Sequence, residues 1–293
     1  MSTVSWIDGC LAAEPLHEIS LWNHSLHYGY GVFEGIRSYD VGGEAHVFRL
    51  EEHIERLWTS CREIGLEPNV TPEAITDAVH QVLQANDFVE AYIRPIVYLG
   101  EGLGTLRDSR PIHTAVLAWQ WDAKDENGRA FKLGISRYRR PDPESYPAFA
   151  KATGNYLLSK TATLWAAQNG YDDAVLLDHE GFVSEASAQN LFMVSAGNLI
   201  TPPENRCLKG ITRATIIQLA LSEGFAVQER NIDPAELLGA DEIFLTSTAS
   251  EVLPVESVNG QRTRRAEDRP VTNLVAQRYK NLVVSHPAPS RSN

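Results

Sequence analysis

The chain has 293 residues, 43% of them hydrophobic, with 26 basic and 38 acidic side chains and a net charge of -12. That length and apolar content suit one large domain or two modest ones and exclude a mostly disordered chain. The acidic balance argues against a nucleic-acid partner, although backbone N–H groups can still build a local phosphate site. Cys10, Cys61 and Cys207 are far apart and form no ligand pair, which reads as free thiols in a reducing compartment. Met1 to Cys10 carries no basic segment followed by an apolar one, and no stretch reaches the length of a membrane span. A cytoplasmic protein with no membrane partner is the expectation.

The first predicted element is a strand over Val4 to Ile7, closed by the hairpin-turn pair Asp8-Gly9. Gly31 to Tyr39 reads as one short, glycine-bearing strand, and Gly42-Gly43 turns the chain into Ala45 to Phe48. Leu50, Ile54, Leu57, Cys61 and Ile64 then recur at three- and four-residue spacing, one face of a helix that Gly65 ends. Thr71-Pro72 opens a second helix with Ile75, Val79 and Val82 facing inward. Val89 to Leu99 and Ile112 to Trp119 are strand candidates, although Pro95 disfavours a regular central position unless a bulge accommodates it.

The polar stretch Asp122 to Arg129 reads as a linker. Beyond it come strands at Lys132–Arg137, Ala174–Leu177, Leu191–Val194 and Glu242–Thr246. Helices are expected at Asn155–Gln168, Thr212–Glu223 and Val271–Val283. The whole is an α+β chain in two parts. Residues 1–120 form a smaller N-terminal domain, 121–130 join it to a larger domain over 131–284, and 285–293 form a flexible tail. No glycine-rich nucleotide loop sits between a strand and a helix, so a dinucleotide-binding unit is not expected.

Few residues suggest chemistry on their own. Lys151 has small neighbours that leave room around its amine; a held, partly desolvated lysine attacks carbonyls, whereas most lysines are solvated ion-pair partners. Glu185 is either a solvated turn carboxylate or one that binds a ring nitrogen and keeps it protonated. Asn190 fixes the same turn through its amide. Thr212 caps the helix that follows Gly210-Ile211, and a helix start can hold a phosphate without many basic side chains. Thr248-Ala249 offers a hydroxyl and backbone donors. Arg94 lies in an apolar strand and wants an anion, from substrate or from a structural carboxylate. Arg56 sits on a charged helix, where a surface ion pair competes with a functional reading. His24, His27, His46 and His53 have no zinc spacing, so no metal site is expected.

Taken in order, these pieces resemble the fold-type IV pyridoxal phosphate enzymes, and within them the branched-chain amino acid aminotransferases. The matching segments are Ser25-Leu26-His27-Tyr28-Gly29, Val32-Phe33-Glu34-Gly35-Ile36-Arg37, His53-Ile54-Glu55-Arg56-Leu57 and Ala91-Tyr92-Ile93-Arg94-Pro95. Lys151 with Gly154-Asn155-Tyr156, Ser184-Glu185, Asn190-Leu191-Phe192, Gly210-Ile211-Thr212-Arg213 and Thr248-Ala249 complete the set.

The resemblance implies a two-domain architecture with pyridoxal 5'-phosphate as cofactor. Lys151 would form the Schiff base, Glu185 pair with the pyridine nitrogen and Tyr156 bond the ring oxygen. Arg56, Ile211, Thr212 and Thr248 would hold the phosphate. Tyr28, Phe33, Gly35, Tyr92, Arg94, Thr248 and Ala249 would line the substrate site. The implied partners are small amino acids, 2-oxo acids and a second copy of the chain in a homodimer. The implied reaction moves the amino group of leucine, isoleucine or valine to 2-oxoglutarate.

Three other activities share such a cofactor site: D-amino acid transamination, (R)-amine transamination and aminodeoxychorismate lysis. A non-enzymatic binding protein with a degenerate site is the reading from outside the group. The departure from the pattern is Gly100 to Arg110, where Arg107 and Arg110 stand in place of small and apolar residues. They are solvated partners of Asp108 and nearby acids, or they recruit a distal carboxylate, or they mark a site shifted toward D-amino acids.

Overall fold

The alternation at the start of the chain becomes a two-residue hairpin. In the computed structural model, which describes residues 3–13, 18–104, 110–121 and 129–285, β1 (Val4–Ile7) and β2 (Cys10–Ala13) pair antiparallel. Asp8 and Gly9 both take positive φ at the turn, as a twisted hairpin requires. They join a seven-stranded sheet with β3 (Gly31–Phe33), β4 (Ile36–Val41), β5 (Glu44–Val47), β6 (Ala91–Leu99) and β7 (Ile112–Gln120). The order is β2-β1-β7-β6-β4-β5, with β3 also on β6. A short α1 (His24–Tyr28) precedes β3.

The strand expected over Gly31 to Tyr39 is broken at Glu34-Gly35, and Pro95 is the reason. The register sets Phe33 opposite Ile96 and Ile36 opposite Ile93, so the break faces Arg94-Pro95. Glu34 donates its N–H to the Pro95 carbonyl at 2.9 Å, but the return bond needs an N–H that proline lacks. No bulge forms: β6 stays in unbroken register with β7 through Pro95, and the interruption falls on the other neighbour instead. Two helices cover one face of this sheet. The helix α2 (Leu50–Ile64) ends at Gly65 (φ 70), and α3 (Pro72–Ala85) starts under the Thr71 hydroxyl, which accepts from the Ala74 N–H. Their apolar stripes bury Leu57, Ile75 and Val79 against Ile36, Ile93 and Val116.

A nine-stranded mixed sheet follows. Its strands are β8 (Phe131–Arg139), β9 (Asp173–Leu177), β10 (Val183–Ala186), β11 (Asn190–Ser195), β12 (Asn198–Thr201), β13 (Val227–Glu229), β14 (Glu242–Ser247), β15 (Glu251–Val258) and β16 (Gln261–Arg262). The order is β10-β9-β8-β15-β14-β11-β12-β13, with β16 on β15. The helices are α4 (Tyr156–Gln168), α5 (Ile211–Ser222), α6 (Pro234–Leu238) and α7 (Pro270–Ser285). None of them is long and apolar enough to cross a membrane.

The sheets belong to two compact units. One comprises residues 3–121, Ala150–Asn155 and residues 283–285; the other comprises residues 129–149 and Tyr156–Leu282. The sequence placed Ala150–Asn155 with the larger C-terminal part, yet its backbone is bonded into the first unit. Val32 bridges to Ala152, and Gly154 donates to the Gly29 carbonyl at 2.9 Å. Most of the expected joining segment 121–130, most of the tail and Arg107 lie outside the described residues.

Candidate active site

Lys151 is held by its backbone on both sides. Its N–H donates to Ser60 Oγ at 3.0 Å, and its carbonyl accepts from the Phe33 N–H at 3.1 Å. Its Nζ lies 5.1 Å from the centre of the Phe33 ring. Asn155 braces the same loop through Nδ2, which donates to the Ala150 carbonyl at 2.8 Å. The small residues around Lys151 are what allow this fit: Gly29 and Gly154 approach so closely that a Cβ on Gly29 would lie 3.0 Å from the Gly154 Cα. Tyr28, next to Gly29, is 51% exposed, with its ring against His24.

Arg56 is no surface ion pair. Its partner is Glu34, a carboxylate with no exposed surface, which takes Nε at 2.7 Å and Nη2 at 2.9 Å. His53, one turn earlier on α2, places Nδ1 2.7 Å from the same carboxylate, and the Gly35 N–H adds a contact at 3.2 Å. Burial alone would raise the Glu34 pKa; the charge of Arg56 and the bond from His53 outweigh it and hold the carboxyl well below the usual range. His53 moves the other way from an ion-pair partner. Its own burial outweighs the pull of Glu34, with Arg56 and Lys151 adding to the effect, so its pKa is lowered and it bonds as a neutral donor.

Two substrate candidates of the first unit, Tyr92 and Arg94, lie on β6, and Phe33 and Gly35 pack against them. Tyr92 lies over Gly35, where a Cβ would sit 1.9 Å from the Tyr92 hydroxyl, so a side chain there would have to displace the Tyr92 ring. The Tyr92 ring is 4.9 Å from Trp119 and 5.1 Å from Trp121. Arg94 has its guanidinium over Phe33 at 4.4 Å, Tyr92 at 5.3 Å and Trp119 at 5.7 Å. Among the described residues it meets no carboxylate. Its Nε and the indole N–H of Trp121 are both buried without a hydrogen-bond partner. A cation among aromatic faces with two idle donors nearby suits an anion brought in from outside. Arg110, the described member of the unusual loop pair, donates from Nε to the Gly102 carbonyl at 3.1 Å.

In the second unit, Glu185 is not on a solvated turn. It lies on the buried strand β10, is 2% exposed, and meets Arg140 at 2.7 Å. Its remaining contacts are long: the Leu208 N–H at 3.4 Å and Asn190 Nδ2 at 3.5 Å. Asn190 mainly serves the loop ahead of α5, donating to the Leu208 carbonyl at 2.8 Å. Gly210 closes that loop against Asn190, where a Cβ would sit 1.9 Å from Oδ1.

Thr212 does not cap α5. Gly210 is the N-cap, no side chain caps the helix, and Thr212 is buried within its first turn. The first N–H groups, at Ile211 and Thr212, therefore meet no capping side chain, as at an anion site. Arg213, despite its place in the motif, is buried and bonds the half-exposed Glu229 at 2.6 Å and the Pro202 carbonyl at 2.8 Å. Thr248 and Ala249 form the tip of a turn pinned by Ser247 and Ser250, whose hydroxyls meet at 2.7 Å. Ser250 also donates to Gln189 at 2.8 Å, which ties the turn to the loop of Asn190. Tyr156 opens α4 and is half-buried.

Sequence reasoning missed Glu34, His53 as a ligand of Glu34, Ser60 and Arg140. Glu34 carried a usable signal, since a lone charge in Val32 to Ile36 wants a partner as Arg94 does. Arg140 carried none, because it stands beside Arg137 and Arg139 and nothing local marks it as the one that is buried. Burial pushes the Cys207 thiol up to about 12, aided by the nearby Glu185 charge, and burial also pushes Cys61 up to about 12. No group of metal-binding residues occurs among the described residues.

The chain matches the family model described as amino-transferase class IV over residues 31–258. It is 36% identical over 284 residues to the branched-chain-amino-acid aminotransferase of Pseudomonas aeruginosa, covering 96% of this chain and 92% of that one. The crystal structure of a branched-chain aminotransferase from Thermoproteus uzoniensis with norvaline superposes with a TM-score of 0.92 at 37% identity, covering 97% and 95% of the two chains. The T.th. branched-chain amino acid aminotransferase complexed with N-(5'-phosphopyridoxyl)-L-glutamate gives 0.90 at 33% identity, covering 97% and 95%. With a matching family model over most of its length, the chain belongs to the class IV aminotransferases, the fold-type IV group of pyridoxal phosphate enzymes.

Proposed function

We propose that the protein transfers the amino group of leucine, isoleucine or valine to 2-oxoglutarate, using pyridoxal 5'-phosphate. The observation that carries the substrate reading is Arg94. A guanidinium stacked among Phe33, Tyr92 and Trp119, with no carboxylate beside it among the described residues, suits a site that takes a hydrocarbon chain in one half-reaction and a second carboxylate in the other. The ligands of the relatives agree in chemistry: norvaline is an unbranched aliphatic amino acid, and the phosphopyridoxyl-glutamate adduct carries a side-chain carboxylate.

The residues present fit the cofactor. The uncapped start of α5 offers backbone donors to a phosphate, Glu185 keeps acceptor capacity for a protonated ring nitrogen, and Lys151 supplies the amine. When bound, pyridoxal 5'-phosphate provides an electron-withdrawing ring that takes up the charge left when the substrate α-carbon loses its proton. Lys151 Nζ would take that proton as base and then deliver it as acid on the cofactor side rather than back to the α-carbon. Glu185 keeps the ring nitrogen protonated, and Tyr156 bonds the ring oxygen. Arg56, Thr212, Thr248 and the Ile211 N–H hold the phosphate. Tyr28, Phe33, Gly35, Tyr92, Arg94, Thr248 and Ala249 line the substrate site. Two half-reactions on one set of groups give ping-pong kinetics.

We read the protein as a homodimer working in the cytoplasm. Exposed Ile19, Leu21, Trp22 and Leu26 form an apolar run of the kind that a partner covers, and light scattering on the purified protein tests this. The substrate reading is tested by giving the cofactor-loaded protein L-leucine, D-leucine, D-glutamate, D-alanine and an (R)-arylamine separately. Without an acceptor, loss of the cofactor absorbance band reports the first half-reaction. Fastest conversion with L-leucine is expected, and conversion confined to the D-amino acids or the amine overturns the reading.

A further inference from the structure

One helical face of α2 carries His53, Arg56 and Ser60, and each has a task in the same small region. Ser60 Oγ accepts from the Lys151 N–H at 3.0 Å, while Arg56 and His53 both bond Glu34. Glu34 follows Phe33, whose N–H donates to the Lys151 carbonyl at 3.1 Å. The segment Phe33-Glu34 therefore grips the lysine loop with one residue and the arginine with the next. Both grips are rigid. The Lys151 backbone is bonded on its donor and its acceptor side, and the Glu34 carboxylate takes two nitrogens of one guanidinium.

A carboxylate has about four acceptor positions, and Glu34 uses its oxygens for Arg56 twice, His53 once and the Gly35 N–H once. A group so fully engaged has little left to offer a ligand. What it fixes is the plane of the Arg56 guanidinium, because a bidentate pair defines both position and orientation. The buried carboxylate also partly offsets the positive charge of Arg56, which by itself weakens attraction for an anion. The arrangement makes sense if the orientation of Arg56 relative to Lys151 matters more than its bare charge.

We propose that Glu34 is a positioning residue for the cofactor: through Arg56 it sets where the phosphate is held relative to the amine of Lys151. This inference rests on the reading above that Arg56 holds the phosphate of pyridoxal 5'-phosphate. Glu34 touches neither substrate nor cofactor in this role. His53 contributes by occupying the carboxylate oxygen that the Arg56 Nη2 shares, which keeps Glu34 from swinging off the guanidinium.

The test compares two cofactors that differ only in the phosphate. Wild-type protein, Glu34→Gln, Glu34→Asp and Arg56→Gln are prepared with cofactor, stripped, and titrated with pyridoxal 5'-phosphate and with pyridoxal, following absorbance and tryptophan fluorescence. In Glu34→Gln the affinity for pyridoxal 5'-phosphate is expected to fall by about tenfold or more, since charge-assisted bonds to the arginine are lost, while the affinity for pyridoxal changes little. Glu34→Asp keeps the charge but is one methylene short, and is expected to show a smaller loss of the same preference. It also carries the test should Glu34→Gln fail to fold.

Equal loss for both cofactors, or no loss for either, overturns the proposal, because a purely structural role moves both together. Arg56→Gln separates the two levels. If it loses the preference for the phosphorylated cofactor and the Glu34 variants keep it, the phosphate reading stands and the positioning role falls. If Arg56→Gln keeps the preference, both fall.

Discussion

Among the described residues, buried carboxylates sit beside arginines at Glu34, Asp178 and Glu185, and the two at the candidate site, Glu34 and Glu185, are not equivalent. Glu34, in the first unit, is closed on itself: three bonds at 2.7 to 2.9 Å and one at 3.2 Å come from its own chain. Glu185, in the second, has one close partner, Arg140 at 2.7 Å, and otherwise only contacts of 3.4 to 3.5 Å. Burying a charge is costly, so a buried carboxylate with spare acceptor capacity needs a reason. Glu34 is taken up by the protein's own groups, whereas Glu185 keeps acceptor capacity beyond Arg140, which fits the bond to a ring nitrogen proposed for it.

The largest expected effect fixes the floor beneath that contrast. Lys151→Ala should abolish both half-reactions while the far-ultraviolet circular dichroism stays unchanged, because the pins on this loop are backbone bonds that the substitution leaves in place. Residual turnover near wild type would remove Lys151 from the chemistry.

Next, Glu34→Ala strands Arg56 and His53 around a lost charge. Breaking a buried pair in this way costs about 3–5 kcal/mol. Urea denaturation should show that loss, and a drop no larger than that of Glu185→Ala would break the contrast between the two carboxylates.

Glu185→Gln should act on rate instead. A neutral amide cannot keep the ring nitrogen protonated, and a charge-assisted bond of this kind contributes about 1.5–3 kcal/mol, roughly 10- to 150-fold in the first half-reaction. Stopped-flow absorbance with L-leucine measures it, and an unchanged rate would assign the carboxylate some other task.

The smallest effect is on pH dependence. His53 has its pKa lowered from the ordinary 6.5 by burial, so the folded protein keeps it neutral while the unfolded chain takes up a proton. Its contribution is therefore complete above pH 6.5 and lost as pH falls below that value, at no more than about 1.4 kcal/mol per pH unit. Glu34, depressed from 4.5, adds its own loss only below that pH. His53→Asn should flatten the stability profile between pH 6.5 and 4.5, as read by urea midpoints across that range. A profile as steep as wild type would mean that His53 titrates alike in both states.

Much of this was legible in the sequence where a local rule decides the structure. Asp8-Gly9 forms a hairpin because both residues accept positive φ, and Thr71-Pro72 starts a helix because cap and proline act within one turn. The spacing of Leu50, Ile54, Leu57 and Cys61 gave α2 for the same reason. What failed was non-local. Pro95 was weighed within its own strand, whereas its consequence fell on the neighbour, at Glu34-Gly35. Glu185 has two readings in the sequence, a solvated turn carboxylate and one that binds a ring nitrogen; its burial on β10 follows from pairing with β9, which no local pattern states. The place of Lys151 in the first unit depends on Ser60 and Phe33, each about a hundred residues away along the chain.

The site was legible mainly as an ordered set of motifs. Lys151, Glu185 and Thr212 were found by resemblance, and each alone had an ordinary reading. The resemblance named Thr212, but the cap reading started the helix too late, since glycine at 210 takes the N-cap. Arg140 was hidden because an arginine that pairs internally and one that faces water look alike in sequence.

The central claim, that Lys151 carries the cofactor, has a direct measurement. The chain has six lysines: Lys124, Lys132, Lys151, Lys160, Lys209 and Lys280. Purified protein loaded with pyridoxal 5'-phosphate is reduced with borohydride to fix the cofactor to its lysine, digested, and mapped by mass spectrometry. The phosphopyridoxyl mass on the peptide containing Lys151, at close to one per chain and absent from Lys151→Ala, is the expected result. Label spread over the other five lysines, or no label on Lys151, would contradict the assignment.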